Sequence, residues 1–493
     1  MIQAHLPALQ VIIPLIAAPF CLLIRRSDLA WAFSLLVTWC TFAIALILLL
    51  QVNETGTISY PMGDWSAPYG IEYKVDLLSA FVLVIVSGIG SVVMPYARLS
   101  IEREIPWPRI YLFYTMYLLC LCGLLGIAIT GDVFNLFVFL EVSSLSSYVL
   151  IALGKDRRAL TAAFRYLIMG TIGATFYVIG VGLMYMMTGS LNMADLAKLM
   201  PLVAETRTIQ AAIAFLIIGL GLKLALFPLH LWLPNAYTYA PTVVTIFLAA
   251  TATKVAVYAF LRIIFTVFGN VPVLQKEFMT DFLMFLAIVA MFAGSFVAIY
   301  QTNIKRMLAY SSIAQIGYMV LGISFISVAG LTGGIIHIFN HAVVKGALFM
   351  AVGCIFIKMG SVYIEDLAGA GKRMPVTMAS FVICGLGLIG VPLTVGFISK
   401  WYLILAALDK GLWPIAAAIV GSSLLAVIYV WRVIEVAYFQ PAPEGAETRS
   451  EAPMTMLAPM WFLTLASVYF GVDATRTINI AETAAAYLLK VIQ

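Results

Sequence analysis

The chain has 493 residues, of which 63% are hydrophobic and 10% charged, with a net charge of +5. A soluble domain carries about 25% charged residues, so this sequence lacks the polar surface to coat a core in water. It reads as an all-α polytopic membrane protein whose solvent is the lipid bilayer. Its basic residues are scattered through short connections rather than clustered, which excludes nucleic acid as a partner. The six cysteines, Cys21, Cys40, Cys120, Cys122, Cys354 and Cys384, lie in apolar segments without zinc or redox spacing. They read as small buried hydrophobes.

A membrane span needs about 20 apolar residues. Fourteen such runs follow in order, near 6–24, 29–51, 74–97, 109–129, 131–154, 159–187, 208–232, 240–268, 279–300, 304–326, 331–358, 377–408, 413–438 and 456–472. No basic stretch and no small-residue cleavage site accompany the first run, so it reads as a retained helix rather than a signal peptide. The polar stretch Gln440–Pro453 reads as a solvated connector, and 476–490 as an amphipathic helix at the membrane interface.

Loop charge orients the bundle. Of 28 lysines and arginines, fifteen fall in odd-numbered connections, among them Arg98, Lys155, Lys305 and Arg432. Six fall in even-numbered ones: Lys74, Lys198, Arg207, Arg262, Lys276 and Lys410. The positive-inside rule then places odd connections in the cytoplasm and both termini outside. Arg476 and Lys490 lie in the tail. Five remain within spans: Arg165, Lys223, Lys254, Lys345 and Lys400. Among the acids, Glu141 alone lies well inside a span, and three of four histidines, His230, His337 and His341, join this short set.

An ionisable group at bilayer depth costs about 2.5–3.5 kcal/mol on insertion scales, and such groups face a bundle interior or a wet cavity. Lysine suits proton relay because burial opposes its charged form and a nearby carboxylate favours it. Glu141 is the natural partner of a buried lysine. Lys223 is the expected mate, because Gly219 and Gly221 on its own helix allow close approach.

Helix breaks mark the same residues. Lys223 precedes Pro228 in GLGLKLALFPLHLWLPNAY, and Lys400 follows Pro392 in GLGLIGVPLTVGFISKWYL. Proline in a helix interior removes a hydrogen bond and kinks the helix. Paired breaks at membrane depth mark transporter ion sites. These are spans seven and twelve, and an offset of five helices reverses direction, so the repeat is inverted.

His337, His341 and Lys345 follow i, i+4, i+8 spacing, which puts them on one helical face about 12 Å long. Imidazoles titrate near physiological pH and suit a proton wire, and His230 reads as a further link. No HExxH pattern or nearby intramembrane carboxylate completes a metal site. Nucleotide-binding motifs are lacking too, so no cofactor and no metal are expected.

The stretches DVFNLFVFLEVSSLSSYVLIALG, FPLHLWLPNAY, QTNIKRMLAYSSIAQIGYMVLG, HIFNHAVVKGALF and GVPLTVGFISKW resemble the proton-translocating antiporter-like subunits. Respiratory complex I, membrane-bound hydrogenases and Mrp-type multisubunit Na⁺/H⁺ antiporters share these, and the likeness spans roughly residues 70–440. Length and lysine pattern are most similar to the D-type subunits of Mrp antiporters. One complex I member usually carries glutamate where Lys400 stands here.

The resemblance implies 14 transmembrane helices, with residues 109–268 and 279–438 as two inverted five-helix repeats containing broken helices 7 and 12. Residues 1–108 and 439–493 would flank them. It implies half-channels joined by a central axis: Glu141 paired with Lys223, Lys254 as bridge, His337, His341 and Lys345 as connection, Lys400 as terminus, and His230 after the first break. It also implies a bacterial inner-membrane location, other membrane subunits as partners, and H⁺ with Na⁺ as transported ions. The alternative is the same pump within complex I or a hydrogenase.

Overall fold

The computed structural model describes residues 2–269, 271, 281–442 and 450–490. Lys276, Arg449, the start of the second expected repeat at 279–280 and the middle of the Gln440–Pro453 stretch lie outside the described residues. The chain forms α1 (Leu6–Ile24), α2 (Ser27–Thr55), α3 (Leu77–Glu104), α4 (Ile110–Ile129), α5 (Val133–Ala152), α6 (Arg157–Thr188), α7 (Met193–Val203) and α8 (Arg207–Leu224). There follow α9 (Trp232–Tyr239), α10 (Thr242–Ala250), α11 (Ala252–Leu261), α12 (Met284–Ile299), α13 (Ile304–Ser324) and α14 (Val328–Met359). The last are α15 (Ala370–Arg373), α16 (Pro375–Ile389), α17 (Val395–Asp409), α18 (Trp413–Phe439), α19 (Met454–Val472) and α20 (Thr475–Lys490).

Thirteen helices among the described residues are long and apolar enough to cross a membrane. The α16–α17 pair supplies the fourteenth span in two pieces, so every expected span has its helix. Polar residues set the helix starts: Asp76, Asp132, Asp156, Asn192, Thr206, Asn303 and Ser327 each accept a backbone N–H of the first turn. Such caps are worth about 1 kcal/mol each.

The 32-residue α14 runs about 48 Å at 1.5 Å per residue through the middle of the bundle. It packs against α3, α10, α13, α16, α17 and α19. α13 and α10–α11 are enclosed, whereas α1, α2, α6 and α18 expose large apolar side chains such as Leu23, Leu50, Phe164 and Leu424. A two-stranded antiparallel hairpin, β1 (Ile58–Pro61) with β2 (Glu72–Val75), covers one end of the bundle.

Five expectations are revised. Cys40, read as buried, is exposed on α2. Arg262, read as a loop charge, is buried in a π-helical turn continuing α11 (Arg262–Val267) and pairs with Asp76. Lys305, read likewise, is buried at the start of α13, where it lies 3.9 Å from Glu104. The tail helix α20 is not free at the lipid surface. Its small face of Ala481, Ala484, Ala485 and Leu488 docks on α14 and α3. The far end of the polar connector is also docked, since Glu451 accepts Val376 N–H at 2.6 Å and the Thr377 hydroxyl at 2.8 Å.

Candidate functional site

The Gly219–Lys223 run G-L-G-L-K is the last turn of α8. The helix stops at Leu224, Ala225 turns left-handed (φ 59°), and α9 resumes at Trp232. Lys223 therefore stands where the unsatisfied carbonyls of a helix end favour a cation. Its ammonium donates to Glu141 Oε1 at 3.2 Å and to Ser144 Oγ at 2.7 Å. The glycines act differently from expectation. A Cβ on Gly219 would meet Gly173 O and Tyr177 N of α6 at 2.7 Å, so this glycine closes α8 onto α6 rather than α5. Gly221 faces Leu229 within its own break.

The Lys223 side chain is 5% exposed and that of Glu141 23%. Glu141 thus reaches the lateral surface of the chain beside exposed Val138 and Leu145. A cavity of ≈ 20 Å³ lined by Ser143, Ser144, Ser147 and Lys223 separates this pair from Ala252 and Ala256 of α11.

Lys254 is fully buried. Its ammonium donates to Ala249 O and to Thr253 Oγ1. Ala249 O is free to accept because span eight is itself interrupted at Thr251 (φ −126°, ψ −57°), between α10 and α11. No proline or glycine marks this break, and the sequence reads as one continuous helix.

In the second half α16 ends at Ile389 and Gly390 takes φ 91°. Leu393 is also left-handed, and α17 begins at Val395. Lys400, on α17, reaches back to the end of α16, donating to Ile389 O at 2.7 Å, Leu388 O at 3.2 Å and Ser423 Oγ at 2.9 Å. Its ammonium lies 4.7 Å from the Tyr318 ring centroid, a cation–π distance. Among the described residues no carboxylate lies within ion-pair distance of it.

Tyr318 also packs on His337, with centroids 5.6 Å apart. His337 Nδ1 meets Ser399 Oγ at 2.8 Å, and Nε2 meets Gln315 Oε1 at 2.9 Å. The His337 and His341 rings stack at 6.2 Å. Neither His341 nitrogen has a partner among the described residues. A cavity of ≈ 10 Å³ adjoins both rings. One turn on, Lys345 donates to Leu308 O at 2.8 Å and to Ser311 Oγ of α13. Among the described residues no three His, Cys, Asp or Glu side chains converge, and two imidazoles fall short of the three or four protein ligands of a zinc site.

Seven of the expected residues thus line a polar seam from α5 to α17. His230 stands apart: it stacks on Phe227 at 5.2 Å and its Nδ1 has no partner among the described residues. Arg165 points outward from α6, exposed. Sequence reasoning missed the neutral partners Ser144, Ser311, Ser423, Ser399 and Gln315. Serine pairs in strongly apolar spans, Ser143–Ser144, Ser311–Ser312 and Ser422–Ser423, were the available signal.

Residues 130–426 match the family described as NADH:quinone oxidoreductase/Mrp antiporter, TM. The chain belongs to this family. Among its relatives, the N subunit of NADH-quinone oxidoreductase from Desulforudis audaxviator is 43% identical over 95% of this chain and 96% of that one. The D subunit of the Na⁺/H⁺ antiporter from Alkalihalophilus pseudofirmus is 30% identical over 95% of this chain and 94% of its own. A chain of the Mrp complex from Dietzia sp. DQ12-45-1b superimposes with a TM-score of 0.90 at 25% identity, covering 100% of both chains. Membership accounts for the two broken helices and for the antiporter-like membrane fold.

Proposed function

We propose that the chain is the proton-translocating subunit of a multisubunit monovalent cation (Na⁺)/H⁺ antiporter complex. Protons would pass through half-channels joined by the Lys254, His337, His341 and Lys345 axis. The observation that carries this reading is the Lys223–Glu141 pair, 3.2 Å apart at the end of a broken membrane helix. A carboxylate beside an ammonium favours the charged form, and its withdrawal favours release of the proton. Lys254 and Lys400 also sit at interrupted helix ends, where fixed carbonyl dipoles receive the charge as it arrives. The serine-lined cavity beside Lys223 has room for about one water, which supports transfer toward Lys254.

Residues 109–268 and 279–438 act as inverted repeats on this reading, and the loop charges support both termini lying outside the bacterial inner membrane. Glu141, 23% exposed at mid-membrane, is too costly to leave against lipid. A neighbouring membrane subunit covering α5 fits it, in keeping with membership of multisubunit assemblies. Vesicles holding the whole complex should show Na⁺-dependent pH changes without quinone or NADH. Absence of any response to Na⁺ under an imposed gradient would overturn the reading.

A second reading has its own support. The 43% identity to a component of an NADH-quinone oxidoreductase favours the same proton path harnessed to a redox enzyme. Purification of the native complex separates the two: iron–sulfur proteins in the preparation mean the redox assembly, and membrane subunits without them mean the antiporter.

A further inference from the structure

Lys254, Tyr258 and Arg262 follow i, i+4, i+8 spacing on span eight. They form a stripe about 12 Å long, running from the central lysine toward the end of the bundle that carries α20. There a cavity of ≈ 300 Å³, lined by Lys74, Asp76, Lys198, Tyr258, Arg262 and Tyr487 among others, reaches in to meet it. A cavity with charged side chains in its wall, pointed at a relay lysine, would ordinarily be a proton inlet. The bonds at its floor say otherwise.

Arg262 is buried and donates through Nη2 to Asp76 Oδ1 and to Ser79 Oγ at 2.9 Å. Its Nε donates to Tyr258 Oη at 2.9 Å. Tyr258 donates its single proton to Ala128 O at 2.8 Å. A hopping proton needs groups that both accept and donate. A guanidinium carries donors alone and stays charged, and a backbone carbonyl accepts without passing anything on. Any proton that travels from Asp76 through Ser79 to Tyr258 therefore ends on the Ala128 carbonyl.

The opposite end of the first half is built differently. A cavity of ≈ 440 Å³ there is lined by Glu104 and Lys305. Glu104 accepts the Thr242 N–H at 2.8 Å and the Thr242 hydroxyl at 3.0 Å, at the first residue of span eight. A carboxylate can take up a proton and hand it on, so the group that meets span eight at this end is competent for relay.

We propose that the Arg262–Asp76 pair, with Tyr258, is a proton-tight plug that closes the α20 end of the first half, leaving Lys254 to exchange protons from the opposite end. The proposal rests on the reading that protons move along Lys254, and it names the residues that seal one end of that path. Arg432 of α18 supplies a parallel in the second half. It too is an arginine near the end of its span, and its guanidinium donates to Ile299 O and Gln301 O.

The test uses the whole complex in sealed vesicles carrying an internal pH dye, with a pH gradient imposed and no Na⁺. The R262Q/D76N complex removes both charges while keeping amide hydrogen bonds. It is expected to dissipate the gradient about tenfold faster than the unaltered complex, the factor that a barrier change of about 1.4 kcal/mol commands. Adding Lys254→Ala should abolish the excess leak. R262Q alone removes the guanidinium while the Ser79 N–H and hydroxyl still donate to Asp76, so it should leak likewise, and it serves where the double variant fails to assemble. A tight R262Q/D76N complex, a tight R262Q complex, or a leak that survives loss of Lys254 would each overturn the plug. Na⁺-driven exchange that persists in Lys223→Ala would instead overturn the proton-path reading and leave the leak result standing.

Discussion

The two halves of the molecule hold their key lysines in contrasting ways. In the first, Lys223 lies on the half-helix that ends and is met from outside by the Glu141 carboxylate. In the second, Lys400 lies on the half-helix that begins, and reaches back to the Leu388 and Ile389 carbonyls with Ser423 beside it. The sequences explain the difference. L-E-V-S-S at 140–144 corresponds to L-A-Y-S-S at 308–312, so Ala309 stands where the first half has Glu141. A carboxylate can move away or take a proton, whereas backbone carbonyls at a helix end offer a fixed partial charge of about −0.5. On the proposed reading the first half acts as a switch and the second as a terminus.

The largest expected effect comes from Lys223→Ala, which removes the switch cation. Proton transport by the assembled complex should fall about a hundredfold or more, the scale of losing a positioned acid–base group. Lys400→Ala should cost roughly ten- to a hundredfold in the same assay, because the terminus receives charge but does not gate it. Equal losses from both would erase the distinction between the halves.

Two serine variants sharpen it further. Ser423→Ala takes away a 2.9 Å acceptor from Lys400, which has no carboxylate within ion-pair distance among the described residues. The loss should approach the roughly 1.5–3 kcal/mol of a hydrogen bond to a charged group. Ser144→Ala takes the 2.7 Å acceptor from Lys223 but leaves Glu141, and transport should fall by less. Transport rates of the two variants, compared at matched complex content, decide the order.

The smallest effects belong to the breaks. Ala225 holds a left-handed turn with φ 59°, so Ala225→Gly should be neutral or stabilise by about 1 kcal/mol or less. Gly390 holds φ +91°, and a Cβ there would meet Lys400 Cδ at 2.8 Å. Gly390→Ala should destabilise by about 1–2 kcal/mol, seen as a lower unfolding temperature of the purified complex.

What the sequence discloses follows from the physics of lipid. All fourteen spans are legible because a bilayer demands long apolar runs, and Glu141, Lys223 and Lys400 stand out because charge is rare in them. The break at Thr251 is not legible, since T-A-T-K contains no proline or glycine and the interruption depends on tertiary contacts. Arg262 and Lys305 pass for loop charges because their partners, Asp76 and Glu104, lie far off in sequence on α3 and its cap. Gly219 points to the wrong neighbour for a related reason: spacing shows that a helix can be approached closely, not which helix approaches.

On the proposed reading Glu141 is the movable partner on which proton transfer depends. The most direct measurement is Na⁺-driven pH change in sealed vesicles holding the complete complex with Glu141→Gln, an isosteric change that keeps a hydrogen-bond acceptor for Lys223. The pH change should be lost with the complex's composition unaltered. Transport at the unaltered rate in that complex would rule out this role for Glu141.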